Sequence, residues 1–191
     1  MGLVSLTTEQ WLLSVAAVAT VAFFGAALLQ PSLFDPEPDW SMSEGCIGGT
    51  SHSTDAGVVE HYHPDIWITV DGEFLQIPAN TGIDQAGCRE GMRWIHVHDV
   101  PNWEQSGPDY TRLHIETPTK MNAPIGAFFE IWERDGGPSL TDDRKFDINR
   151  NGVSDWEEYE ISLVVNGEPN DRFEEYVMED RDKIELFFDS K

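Results

Sequence analysis

Apolar residues follow three different spacings along this chain. From Trp11 to Leu29 they form an almost unbroken uncharged run, WLLSVAAVATVAFFGAALL. Its length is close to the roughly 20 residues a helix needs to cross a bilayer. From residue 58 the spacing shortens to two, the period of a strand with one buried face. It predicts strands over Val58–His63, Asp65–Val70, Glu73–Ile77, Arg93–His98, Tyr110–Glu116, Ile161–Val165 and Lys183–Phe188. The segment PIGAFFEIWE, 124–133, has helical spacing, with Asn122 as a candidate cap and Gly136-Gly137 past its end. Asp71-Gly72 and Asn166-Gly167 sit between predicted strands and are two-residue hairpin signals. The Pro-, Gly- and Ser-rich stretch 31–57 reads as an acidic linker. The expected organisation is an N-terminal anchor over 1–30 with its transmembrane helix at about 8–30, the linker, and a domain over 58–191. The domain is α+β, mainly antiparallel β with one short helix, sandwich-like in its strand content.

The ends of the apolar run support a spanning helix. Thr7 and Gln10 have capping-box spacing, Glu9 faces the positive end of the helix dipole, Trp11 suits an interfacial belt, and Pro31 stops the helix. A cleaved signal peptide is the competing reading. Its apolar region is usually shorter, about 7–15 residues, and follows basic residues; no Lys or Arg precedes this run, while Gly25-Ala26-Ala27 keeps cleavage open. The first basic residue of the chain is Arg89, so charge bias gives no orientation. The two cysteines, Cys46 and Cys88, do: a Cys46–Cys88 disulfide would place the domain on the extracytoplasmic side of a cell membrane. Free thiols or soft metal ligands are the alternatives for this pair.

Charge narrows the partners. With 35 acidic and 12 basic residues, the net charge of −23 excludes nucleic-acid binding by phosphate neutralisation. It suits a surface that stays hydrated at high ionic strength, or one that gathers cations. Seven Trp, ten Phe and a 40% hydrophobic content still support a packed core.

Five of six histidines fall in the predicted strands, as His61-Tyr-His63, His96-Val-His98 and Leu-His114-Ile. Residues two apart share a strand face, so each His-x-His presents two imidazoles together. Placing His98 opposite Arg112 puts His96 opposite His114, at a Cβ separation of about 4.5–5.5 Å. His61 and His63 join the same face provided Pro64 introduces no bulge. Neutral imidazoles in this pattern suit Zn²⁺ or Cu²⁺. Asp99 and Glu116 are placed to orient a ligand imidazole by accepting its other N–H. His52, in the linker, reads as solvated. The set His96, His98 and His114 resembles the three-His zinc arrangement of α-carbonic anhydrases in ligand geometry alone; the chain is too short for that fold. The order of hairpin, helix and later strands ending in DKIEL is similar to β-grasp domains.

Asp147-Ile-Asn149-Arg-Asn151-Gly152-Val153-Ser154-Asp155-Trp-Glu-Glu158 matches the pattern D-x-[DN]-x-[DN]-G-x₅-E. It resembles an EF-hand loop, and more closely the single loops of dockerin-type proteins, because Ser154 stands where paired EF-hands place an aliphatic residue. The resemblance implies Ca²⁺ held by Asp147, Asn149, Asn151, the Val153 carbonyl, Asp155 and Glu158, in a structural role. The expected function is a single-pass membrane protein whose exposed domain holds Ca²⁺ and a Cu²⁺ or Zn²⁺ ion, as a metal-handling protein or an accessory subunit of a membrane complex. A three-His zinc or copper enzyme, using Glu116 or Asp99 for proton transfer, is one alternative. A calcium-stiffened structural or adhesive module is the other.

Overall fold

The computed structural model describes residues 7–29, 35–48, 57–98 and 110–191, divided into one unit ending at Pro36 and another running from Glu37 to Lys191. In the first, helix α1 spans Thr8–Leu29. Its capping box is formed: Thr7 Oγ1 accepts from the Gln10 N–H at 3.3 Å, and Gln10 Oε1 accepts from the Thr7 N–H at 3.0 Å. Ser14 and Thr20 donate to carbonyls four residues back, so neither hydroxyl is left unsatisfied in an apolar run. Among the described residues α1 is the one helix long and apolar enough to cross a membrane.

The second unit is a set of mostly antiparallel sheets. Its strands are β1 (Cys46–Gly48), β2 (Glu60–Tyr62), β3 (Asp65–Val70), β4 (Glu73–Phe74), β5 (Gly91–Arg93), β6 (Ile95–His96), β7 (Thr111–Arg112), β8 (His114–Thr117), β9 (Ser139–Leu140), β10 (Phe146–Asp147), β11 (Tyr159–Val165), β12 (Glu168–Asn170) and β13 (Lys183–Ser190). Two helices join them, α2 (Ile125–Arg134) and α3 (Asp155–Glu158). The largest sheet runs β12-β11-β13-β3-β4, with β7 also on β3. Its one parallel pair is β13 with β3; the other neighbours are antiparallel. Both expected hairpins form, because Asp71-Gly72 and Asn166-Gly167 adopt positive φ at both central positions, as a type I′ turn requires. Alternation holds along β13, where Ile184, Leu186 and Phe188 are fully buried. They meet Ile66 and Ile68 of β3 in a core closed by Phe128, Phe129, Ile131 and Trp132 of α2.

Several boundaries differ from expectation. Residues 37–48, read as linker, belong to the folded unit: Asp39 caps a 3₁₀ turn over Trp40–Ser43, Met42 is fully buried, and β1 pairs with β5. Aromatic and sulfur side chains hidden among polar ones carry that packing. Residues 49–56, including His52, lie outside the described residues. Asn122 does not cap α2; the cap position is Pro124, and the Asn122 amide donates to the Glu37 carbonyl instead. Gly136 does end α2, with φ 85°. The strand expected over Glu73–Ile77 stops at Phe74. The stretch 93–98 divides at Trp94, and 110–116 divides at Leu113, because each half pairs with a different neighbour.

Candidate metal centre

The divided strand around Leu113 builds the site. Thr111 and Arg112 pair with β3, whereas His114–Thr117 lies between β2 and β6. The pairs His61↔Glu116 and Asp65↔Arg112 belong to one continuous register, which leaves His63 level with His114. Pro64, lacking an N–H, interrupts the ladder there without shifting it, and its carbonyl still accepts from the Leu113 N–H at 2.9 Å. On the other edge His96 pairs directly with His114. The expected register is therefore correct at His96 and His114, and Pro64 introduces no change of face. His98 and Arg112, expected opposite each other, are not a ladder pair, since Arg112 is engaged with β3.

The other four strand histidines gather around His114. Its ring centroid lies 4.5 Å from that of His63, 4.1 Å from His98, 5.6 Å from His96 and 5.9 Å from His61. Candidate ligand atoms fall into two groups, His96, His98, His114 and Glu116, and His61, His63 and His114; within each, all lie within 4.8 Å of one another, close enough to hold a metal ion. The opposite face of the same strands is anchored in the core by Ile95, Val97, Leu113 and Ile115, all fully buried. Glu116, expected to support a ligand, is instead within a ligand group, and it also lies 3.3 Å from His61. Its position two residues from His114 on one strand was the available signal. Asp99 lies outside the described residues.

The electrostatics favour neutral imidazoles. Burial, then the neighbouring His98, His63, His96 and His61, push the His114 pKa down to about 3. Burial pushes His96 down to about 4 against the opposing effect of its hydrogen bond with the Arg93 carbonyl. His63 is also lowered, chiefly by burial and then by His61 and Arg112. The 2.9 Å contact between His96 Nδ1 and the Arg93 carbonyl requires Nδ1 to carry the proton, which leaves Nε2 as a lone pair. That Nε2 is buried without a hydrogen-bond partner, and so is His114 Nδ1. An unpartnered buried nitrogen costs about 1–3 kcal/mol, a cost that a bound cation would remove.

Sequence reading missed the frame around the histidines. Asp65, almost fully buried, accepts from Arg112 Nε at 2.9 Å and from Lys183 Nζ at 2.6 Å. Asp180 accepts from the His63 N–H at 3.0 Å, and the Arg181 N–H donates to the His63 carbonyl at 3.1 Å. Asp65 and Arg112 are 47 positions apart and the other pairs more than a hundred, beyond the reach of any local pattern. Cys46 and Cys88 form the expected disulfide, with Cα atoms 5.7 Å apart, tying β1 to the loop before β5.

The acidic loop at 147–158 is closed by its own side chains. Asp147 accepts from the backbone N–H groups of Asn151 and Gly152, each at 3.0 Å, and Gly152 has φ 80°. The side chains of Asn149 and Asn151 both reach Glu158 at 3.0 Å. Asp155 is fully buried; Oδ2 accepts from the Ile148 N–H at 2.8 Å, and Oδ1 has no hydrogen-bond partner. Comparison with family models, with curated proteins and with solved structures gives no match.

Proposed function

We propose that this chain is a membrane-anchored, extracytoplasmic metal-binding protein that holds copper or zinc on the histidine face. The observation that carries the reading is the pair of buried, unpartnered nitrogens, His96 Nε2 and His114 Nδ1, inside a cluster of imidazoles. Three imidazoles with Glu116 complete the four-coordinate N/O set that Zn²⁺ prefers, and the imidazoles equally suit Cu²⁺. A closed set of this kind favours holding or handing on an ion. A hydrolytic or hydration enzyme would need Glu116 to withdraw and leave a position for water. The disulfide and the apolar helix α1 support an extracytoplasmic location. The unpartnered Asp155 Oδ1 and the convergence of Asn149 and Asn151 on Glu158 support a structural Ca²⁺ in the loop, once the two amides rotate to present oxygen.

Elemental analysis of the full chain, purified in detergent without chelator or an affinity metal, tests the histidine reading. Copper or zinc at one or more equivalents per chain is expected, and its loss in a variant with His61, His63, His96, His98 and His114 all changed to Ala. Equal transition-metal content in both proteins would refute it and favour a calcium-stabilised structural module.

A further inference from the structure

The two ligand groups are not two descriptions of one site. A metal–nitrogen bond is about 2.0–2.1 Å, so two donors on one ion stand no more than about 4.2 Å apart. The donor atoms of the five histidines and Glu116 do not form one group within even 4.8 Å; they form two, and only His114 belongs to both. An ion held by His96, His98, His114 and Glu116 has a complete tetrahedral shell; His63 then lies outside it, and His61 meets it only through Glu116. Those two nevertheless stand with ring centroids 4.5 Å apart on the other flank of His114. The His114 ring sits between the groups, nearly perpendicular to His98 at 84° and to His63 at 85°. An imidazole has two ring nitrogens on opposite sides, each able to bind a metal once the ring N–H is lost.

We propose that the histidine face is a dinuclear centre in which His114, as imidazolate, bridges one ion held by His96, His98 and Glu116 to a second held by His61 and His63. This rests on the metal-binding reading above and adds the number of ions and the atom that joins them. Binding the second ion removes the remaining N–H proton of His114, which passes to solvent; no electron is transferred. Among the described residues the second ion has His61, His63 and the shared ring as its protein ligands, and His61 is half exposed at 49% of its side chain. That flank therefore keeps a coordination position open to water or a small anion, whereas the first ion is enclosed. Asp180 and Arg181 bracket the His63 backbone and hold this flank in place.

The test is titration of the full chain in detergent with Cu²⁺ alone, followed by isothermal calorimetry and by electron paramagnetic resonance with spin counting. Two equivalents are expected to bind. The first should give a full-intensity signal; the second should reduce the integrated signal, because an imidazolate couples two Cu²⁺ spins antiferromagnetically. His63→Ala should bind one equivalent with a full signal. His114→Ala should lose the coupling at any copper loading, with circular dichroism checking that it folds. A single bound equivalent in the wild type, unchanged by His63→Ala and lost with His96→Ala, would overturn the dinuclear centre and leave the metal-binding reading standing. Two equivalents with undiminished spin would overturn the bridge. No binding at all would overturn the metal-binding reading itself.

Discussion

Replacing Asp155 by Asn should stabilise the calcium-free protein, an unusual result for a fully buried residue at the start of a helix. The Asp155 carboxyl is held up at about 6, chiefly by burial; the Ile148 N–H opposes that shift, and the charges of Asp147, Glu158 and Glu174 reinforce it. A carboxyl with a raised pKa takes up its proton more readily in the folded state. Its contribution is complete below the unfolded value near 3.8 and is lost as pH rises through about 6. The difference between these values corresponds to about 3 kcal/mol lost by neutral pH. Asn keeps an oxygen for the Ile148 N–H and turns an amide toward the surrounding carboxylates, so the strain of the charge disappears. For a domain of this size about 3 kcal/mol is roughly 6–12 °C in Tm. The assay is thermal unfolding of wild type and Asp155→Asn at pH 5 and 7.5, in chelator and in millimolar calcium. In chelator the variant should melt higher than wild type at pH 7.5 and near it at pH 5. Calcium should raise the wild-type Tm, more at the higher pH, and raise the variant's much less, because a ligand stabilises only the state that binds it. A variant that melts below wild type in chelator at pH 7.5, or keeps the full calcium response, would refute the account of Asp155.

The metal-free protein should lose stability in acid through its histidines. With the folded pKa of His96 at about 4, its contribution is intact above the ordinary value of 6.5 and is lost as pH falls toward 4, about 3 kcal/mol in total; denaturant unfolding between pH 7 and 4.5 should show a smaller loss in His96→Leu. Reducing or removing the Cys46–Cys88 bridge, which spans 42 positions, should cost about 4 kcal/mol by chain entropy, read as a lower denaturation midpoint in a Cys46→Ser, Cys88→Ser double variant. Met42→Ala should cost about 2–5 kcal/mol, because Met42 is fully buried in the main core; a cost near zero would return residues 37–48 to the status of a linker.

What could be read from the sequence was whatever had a local period. The two type I′ hairpins, the amphipathic α2, the alternation of β3 and β13 and the capping box of α1 each rest on residues within a few positions of one another. So does the face shared by the histidines, because a side-chain period of two assigns every residue of a strand once one is placed. The register of His96 with His114 was legible because β6 and β8 put both histidines on the polar side and Ile95 and Ile115 on the apolar side. Elements held by distant contacts were not legible. β1 exists because β5 pairs with it and the disulfide closes it, and among the described residues the short β9 and β10 strands are each other's only ladder partners. β12 was hidden by Pro169, yet as the outermost strand of its sheet it tolerates a residue without an N–H. Glu116 is expected to support a ligand imidazole, and its 3.3 Å contact with His61 has that form; only the distances show that it also stands level with His96, His98 and His114.

The strand through Leu113 explains why a polar cluster this costly can persist. Leu113 and Ile115 are fully buried on one side while Arg112, His114 and Glu116 face the other, so the positions of the ligands are fixed by the core. Burying His96 and His114, and partly burying His63 and His98, around one point opposes folding unless their lone pairs find partners. Here the protein satisfies one nitrogen of His96 through the Arg93 carbonyl and leaves its other nitrogen, and Nδ1 of His114, unsatisfied. A site meant only to be stable would have filled these positions with apolar side chains, since breaking such polar groups costs more than replacing them. The structure instead holds unpaired donors of the right chemistry on rigid strands, with the chain's excess of negative charge drawing cations toward them. Rigidity matters for which ions are retained: ligands fixed by the core lose little further freedom on binding, and an ion that fits neither their spacing nor their number gains little from them.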